Sequence, residues 1–384
     1  GYKVITLSHL PGHALDIADE YENLYYPFGQ HILSGAKLIA HHPNLYAVYL
    51  TNHGCGPDTM LSHLFKQEMG DKPYLQIEVD EHFSNVGVIT RIEAFLNSLN
   101  HRPVEVLPKD FVLEQVDIRP CHLPAVPEKD FPLWLPPLGE YTASLTGYFR
   151  AQGVDAHALP HLSAHALSLG CAETSAKEYL PFPALLGGIL AQQEADPAPA
   201  QFLIPQTRGA EADGQYARVI RAVLDRRGNQ SAKLVSPMLE TLPATAQDRD
   251  ALFRALLAGD ILYAAPAAMR AGIAAAWDTL PGWAQLHKAA VEIGRCPATG
   301  RRLATVGTPL CLTELDSGVL STLEAEGSQL LRAPLSEALW FLWKDNMDAN
   351  KPCAKWLEQM AQEMQTIGAE LGAHSTFAQD TAAL

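Results

Sequence analysis

Short apolar runs alternate with stretches of helical spacing along most of this chain. Val4–Leu7, Leu45–Leu50 and Tyr74–Val79 are short and rich in β-branched or aromatic residues, so each predicts a strand, with Leu45–Leu50 read as buried. Between and after them, His31–Ala40, Met60–Met69 and Arg91–Leu99 carry apolar residues at helical spacing, the last with Thr90 as its cap. Residues 101–138 contain Pro103, Pro108, Pro120, Pro124, Pro127, Pro132, Pro136 and Pro137 and predict an extended linker. The alternation then resumes. Helices are expected near Tyr141–Gln152, His161–Leu169 and Gln215–Arg227, and strands at Gln201–Pro205 and Ala232–Ser236, with Gly153 and Gly228 closing two of the helices. Residues 245–295 are alanine-rich and helical by composition. Strands at Leu303–Val306 and Gln329–Arg332 flank a helix over Gly318–Glu326, and Pro352–Leu371 reads as one long helix before a frayed tail.

The fold class expected is therefore α/β: two to three Rossmann-like parallel-sheet domains with a helical insertion and a C-terminal helix. The boundaries follow the composition shifts: an α/β domain over 1–100, the linker over 101–138, a second α/β domain over 139–244, a helical segment over 245–300, and an α/β segment with the C-terminal helix over 301–384. In such sheets ligand groups stand on loops beyond the strand carboxyl ends.

Composition narrows the partners. A chain of 384 residues with 47% hydrophobic and 18% charged content is globular and too long for one ordinary core. Its net charge, 28 − 43 = −15, argues against a nucleic acid or an anionic membrane surface as partner. It shows neither a signal-peptide pattern nor an apolar run of about 18 residues, so a cytoplasmic location is expected. Its start on Gly1-Tyr2, without an initiator Met, suggests an excised piece of a longer polypeptide. GxxxxGK[ST], GxGxxG after a strand and GxSxG are all missing, which leaves no familiar nucleotide loop and no hydrolase elbow.

The candidate chemistry centres on Thr51–Asp58, Thr-Asn-His-Gly-Cys-Gly-Pro-Asp, where Cys55 stands between two glycines at a strand-to-helix turn. Asp58 is expected to cap the helix. A thiol there feels the positive helix end and has little steric cover, which favours its thiolate. Cys55 is thus the candidate metal ligand, although a small residue in a tight turn accounts for the local sequence equally well. The other cysteines, Cys121, Cys171, Cys296, Cys311 and Cys353, form no CxxC pair, so a metal centre would have to be assembled from distant residues. Glu78-Val79-Asp80-Glu81-His82 could hold a metal or relay a proton; a polar loop that pairs with Arg91 or caps the next helix is the favoured alternative. His9 with His13 and His161 with His165 have metal-compatible spacing, which is expected by coincidence among 15 histidines.

Four of these runs together resemble a known family. Tyr26–Gly35 (Tyr-Pro-Phe-Gly-Gln-His-Ile-Leu-Ser-Gly), Thr51–Asp58, Glu78–His82 and Gly87–Phe95 are similar to the large proteins related to activators of 2-hydroxyacyl-CoA dehydratases. In that family this region follows ATP-binding activase domains, and related double-cubane-cluster proteins use ATP hydrolysis to deliver low-potential electrons through iron–sulfur clusters. Leu169–Pro181 resembles the family stretch T-S-G-K-E-C-x-P, and Phe202–Tyr216 resembles P-T-x-x-G-P-C-R-x-G-Q-Y.

The departures from the pattern matter most. Tyr179 stands where the family has a cysteine, Phe182 where it often has a second, and Gly209-Ala210-Glu211-Ala212 where it has G-P-C-R. A phenol or phenyl ring cannot supply soft sulfur to iron. Of the motif cysteines only Cys55 remains, with Cys171 near the lost pair. The resemblance implies a dehydratase-like region whose second cluster site is erased and which docks an ATP-dependent activase domain or subunit. It also leaves open an active redox component, of dehydratase or reductase type, with Cys55 on a [4Fe–4S] cluster and an acyl-CoA as substrate. A metal-free structural domain is the third reading, and a homodimer is compatible with each.

Overall fold

The computed structural model describes residues 2–12, 15–52, 56–80, 84–209, 212–277, 279–297, 300–305 and 319–377. In chain order the first elements are α1 (Pro27–His41), β1 (Val48–Asn52), α2 (Gly56–Met69), β2 (Leu75–Val79) and α3 (Asn85–Leu99). Next come β3 (Leu133–Leu135), α4 (Glu140–Ala151), β4 (Ala156–Ala158), α5 (Ala164–Ala172), α6 (Pro181–Ala195), β5 (Ala200–Leu203), α7 (Tyr216–Arg226) and β6 (Ala232–Val235). The remainder is α8 (Ala246–Ala264), α9 (Ala267–Ala275), α10 (Trp283–Gly294), β7 (Arg302–Ala304), α11 (Val319–Ala325), β8 (Gln329–Leu331), α12 (Leu335–Asp345), α13 (Met347–Asn350) and α14 (Ala354–Leu371). Every strand pairing among the described residues is parallel, so the chain is α/β with parallel sheets. No described helix is long and apolar enough to cross a membrane.

The chain divides into two compact units, and both are discontinuous. The first comprises 1–123, 171–183 and 206–229; the second comprises 124–170, 184–205 and 230–384.

In the first unit β1 and β2 pair in register, Val48 opposite Leu75 through Asn52 opposite Val79. Helices α1 and α2 pack beside each other because Leu33 and Leu38 on one and Met60, Leu64 and Phe65 on the other form apolar stripes, all fully buried or nearly so. Strand β1 is half-buried rather than buried: Tyr49 and Thr51 turn inward while Val48 and Leu50 stay exposed. Lys37 interrupts the stripe of α1, and its ammonium meets Glu20 at 2.7 Å and Glu68 at 2.9 Å with its side chain only 6% exposed. Tyr21 donates to Glu68, and burial together with that carboxylate pushes its phenol far up. A buried ammonium persists only where carboxylates compensate it.

Three local expectations are corrected here. Val4–Leu7 forms no strand: Val4 is 91% exposed, no neighbour pairs with the run, and Leu7–His9 makes a turn of 3-10 helix. An apolar run becomes a strand only where another strand accepts its ladder bonds. Thr90 lies inside α3 and donates to the Val86 carbonyl instead of capping the helix. The proline-rich stretch is strapped to its unit by Asn44, whose amide bonds both Glu105 backbone groups, and by bonds from Arg119 and Cys121 to the 19–20 segment. Its last part, Pro132-Leu-Trp-Leu-Pro-Pro137, contains β3, a strand bracketed by prolines, which mask its pattern.

In the second unit the strand order is β4-β3-β5-β6, all parallel. The chain runs from β3 through α4 to β4 on one side, then returns to place β5 on the other side of β3. That reversal is the topological switch that creates a crevice in doubly wound sheets. Helix α8 runs through the core, capped by Thr245, whose hydroxyl accepts from the Asp248 amide at 3.0 Å. A Cβ on Gly259 would lie 2.1 Å from the Tyr141 ring, so glycine lets α8 and α4 approach closely. All six tryptophans (Trp134, Trp277, Trp283, Trp340, Trp343 and Trp356) belong to this unit.

Candidate functional site

Strand β1 delivers the chain into the Thr51–Asp58 turn. Asp58 sits in the first turn of α2 and reaches back to β1: one carboxylate oxygen accepts from the Thr51 hydroxyl and the Asn52 amide, both at 2.8 Å. It ties the two ends of the turn together and does not cap its own helix, because α2 already begins at Gly56. Cys55 itself, with His53 and Gly54, lies outside the described residues, as do Glu81, His82, Glu211 and Cys311.

Around this turn the first unit gathers segments far apart in sequence. A Cβ on Gly56 would lie 3.0 Å from the Tyr179 phenol oxygen, so the Tyr179 ring rests on the glycine that follows Cys55, with 51% of the residue exposed. One residue earlier, Glu178 bonds His63 Nε2 at 2.5 Å, with the carboxylate side chain 1% exposed. Glu178 also folds the preceding turn around itself, accepting from the Ser175 amide and hydroxyl and from the Lys177 amide at 2.9–3.0 Å. Burial alone would raise its pKa. The His63 and Ser175 hydrogen bonds outweigh that and bring the carboxyl down to about 2. Lys177 pairs with Glu78 of β2. Phe182 is fully buried, its ring 5.1 Å from Tyr216 and 5.9 Å from His63.

The 206–215 turn belongs to the same unit. Gln215 donates to the Asn23 carbonyl at 2.8 Å, and Asn23 donates to Gln206 at 3.0 Å. Gly214 is required because a Cβ there would meet the Thr207 carbonyl at 2.6 Å. Glu173 draws Arg227 to within 2.7 Å, which closes the 171–183 segment onto the end of α7.

The outcome for the sequence candidates is mixed. The acidic run is anchored at Glu78 by Lys177, a partner the sequence reading did not consider. His165 bonds Glu194 at 2.9 Å and His9 bonds Thr6 at 2.7 Å, so each takes part in local hydrogen bonding. Cys121, Cys171, Cys296 and Cys353 are free thiols. His63 escaped notice because it sits on the apolar stripe of α2, between Met60 and Leu64. A histidine on an inward stripe was the available signal, but it does not say which residue bonds it.

Among the described residues no group of three or more His, Cys, Asp or Glu is arranged to hold a metal ion. The described groups beside the turn are an imidazole and a carboxylate bonded to each other, and a phenol. None of these is a soft sulfur donor of the kind that holds an iron–sulfur cluster. No family model, no curated protein and no solved structure matches this chain.

Proposed function

We propose that the first unit is the dehydratase-like region of an acyl-CoA dehydratase activator-related protein, that it retains the surface around the Cys55 turn, and that it uses this surface to dock an ATP-dependent activase domain or subunit. The observation that carries this reading is the packing of the 175–182 stretch beside the turn, with aromatic rings at the two positions where thiolates would be needed: Glu178 bonds His63 of α2, Lys177 pairs with Glu78 of β2, Tyr179 lies over Gly56, and Phe182 is in the core. The tie from Asp58, the His63–Glu178 pair and the Lys177–Glu78 pair hold that surface rigid, as a docking face requires. On the same reading both units are Rossmann-like, supported in the second by the strand order and helical crossovers.

One observation favours a second reading, in which Cys55 holds an iron of a [4Fe–4S] cluster in an active redox component acting on an acyl-CoA. Asp58, on α2, accepts from Thr51 and Asn52 on β1, and such a tie across the Cys55 turn would also hold a ligand thiol in place. Anaerobic iron and sulfide analysis separates the two. A colourless protein with under about one iron per chain that co-purifies with an activase supports docking. A brown protein whose visible band is lost in Cys55→Ala supports the redox reading. Failure to bind any activase, with no iron, leaves a structural domain.

A further inference from the structure

Within the first unit, β1 has an unfilled side. Its ladder to β2 uses every second residue, as the bond from the Leu75 amide to the Ala47 carbonyl shows, so the backbone groups of Val48, Leu50 and Asn52 face away from β2. The Asp58 carboxylate takes the Asn52 amide there. Among the described residues nothing pairs with the backbone of Val48 or Leu50. The strand carries neither a charge nor a proline, the usual devices that keep an edge from accepting another strand. Its outer face is bare as well. Tyr49 stacks on Phe65 of α2, which defines the inner face. On the outer face Ile77 of β2, the strand that α3 packs against, is 2% exposed, while Leu50 beside it is 62% exposed. Parallel sheets are normally covered on both faces.

Residues Tyr2–Thr6 present the opposite deficit. Val4, Ile5 and Thr6 are β-branched, Val4 and Ile5 are exposed, and among the described residues the backbone of Lys3, Val4 and Ile5 makes no hydrogen bond. Both ends of this stretch are held. The Tyr2 hydroxyl reaches the Leu96 carbonyl at 3.0 Å and the Asn100 side chain at 2.6 Å, at the C-terminal end of α3. Leu7 packs on Gly35 of α1, where a Cβ would collide with it. Helix α3 lies on the outer face and α1, packed on α2, belongs to the inner layer. A chain tied to both layers passes an edge of the sheet, and α1 leads through a short loop directly into β1. The two ties also obey the alternation of a strand. With Tyr2 turned to the outer layer and Leu7 to the inner, an extended run puts Val4 on the outer face with Leu50 and Ile5 on the inner face with Tyr49.

We infer that Tyr2–Thr6 is a strap that closes onto the open edge of β1 as a third parallel strand, giving the order β2-β1-strap. Closure satisfies backbone groups that both segments otherwise leave to water, and it lays Val4 against the bare outer face of β1. It also moves β1, the strand that leads into the Cys55 turn, from the edge of the sheet to its centre. In such a ladder Ile5 aims its N–H at β1, whereas Val4, which shares a face with Val48 and Leu50, aims its own away.

Hydrogen exchange of the full chain, read residue by residue and corrected for intrinsic rates, tests this in the wild-type protein, Ile5→Pro and Val4→Pro. The Val48 and Leu50 amides are expected to exchange at least threefold more slowly in the wild type than in Ile5→Pro, which deletes a ladder donor. Val4→Pro should keep the wild-type rates, because a proline whose ring faces away from the ladder removes no bond from it. Protection of the α2 amides checks that each variant keeps the first unit folded. If Ile5→Pro loses it, Ile5→Gly, which weakens a strand without removing a donor, carries the comparison. Val48 and Leu50 amides that exchange at unprotected rates in the wild-type chain overturn the inference, as does protection that the folded position-5 variants leave unchanged. Protection that is indifferent to position 5 and rises with protein concentration overturns it too, and gives the edge to a second copy of the chain.

Discussion

Replacing Glu178 with glutamine isolates the charge that holds the 175–178 turn on α2. The side chain keeps its shape and an acceptor oxygen, but it no longer offers a carboxylate to His63, the Ser175 amide and hydroxyl and the Lys177 amide. In the folded chain this carboxyl ionises at about 2 against an ordinary 4.5. At about 1.4 kcal/mol per pH unit the difference corresponds to about 3 kcal/mol of stability at neutral pH. The sign follows from the depressed value: the stabilisation is fully present above pH 4.5 and is lost as pH falls toward 2. At pH 3 the same two ionisation constants leave less than half of it. The measurement is hydrogen exchange of the α2 amides in both proteins at pH 7 and pH 3, corrected for intrinsic exchange. Because every tryptophan lies in the second unit, a fluorescence melt run in parallel reports whether that unit stays intact. The expected deficit of Glu178→Gln is about 3 kcal/mol at pH 7 and less than half that at pH 3. A deficit of equal size at both pH values would refute the electrostatic account, and no deficit at pH 7 would remove the pair from the list of stabilising contacts altogether.

The remaining predictions concern other packed sites. Asp260 is pushed up to about 6 by burial despite its hydrogen bonds, so its charge costs stability as pH rises from about 4 to 6; Asp260→Asn should gain about 2 kcal/mol relative to the wild-type chain over that range, read from urea midpoints by tryptophan fluorescence. Gly187→Ala would put a Cβ 1.9 Å from the Ala166 carbonyl oxygen, and thermal melting of the second unit should fall by an amount equivalent to about 2–3 kcal/mol, whereas Gly272→Ala, which meets nothing within 4 Å, should not destabilise it. Lys37→Met strands Glu20 and Glu68 without their cation and should cost about 3–5 kcal/mol in the first unit, seen as lost exchange protection in α1; the double change with Glu68→Leu should recover part of that.

Much of the regular structure was legible because it depends on local spacing. Helices α7 and α14 and strands β2, β6 and β8 fall within a few residues of where periodicity, glycine stops and β-branched runs place them. What was not legible depends on residues brought together from afar. His63 and Glu178 are 115 residues apart, and nothing in either local pattern names the other. Lys37 reads as a flaw in an amphipathic stripe until Glu20 and Glu68 arrive from separate segments. Val4–Leu7 fails in the opposite way: its composition suits a strand, but among the described residues no strand bonds it. At the candidate site the sequence placed a turn between β1 and α2, while the placement of Tyr179 on Gly56 required the packing of the first unit.

The discontinuity of both units constrains how the chain can be made and cut. The first unit lacks its 206–229 segment until Asn229 has been synthesised, by which time the 124–170 and 184–205 segments of the second unit have also been made. The first unit therefore closes only after two excursions into the second, and such long-range closure slows folding. By the same topology, a single protease nick at the 170–171, 183–184 or 205–206 crossing leaves neither unit whole in one fragment, because each unit is returned to by the chain after it has been left.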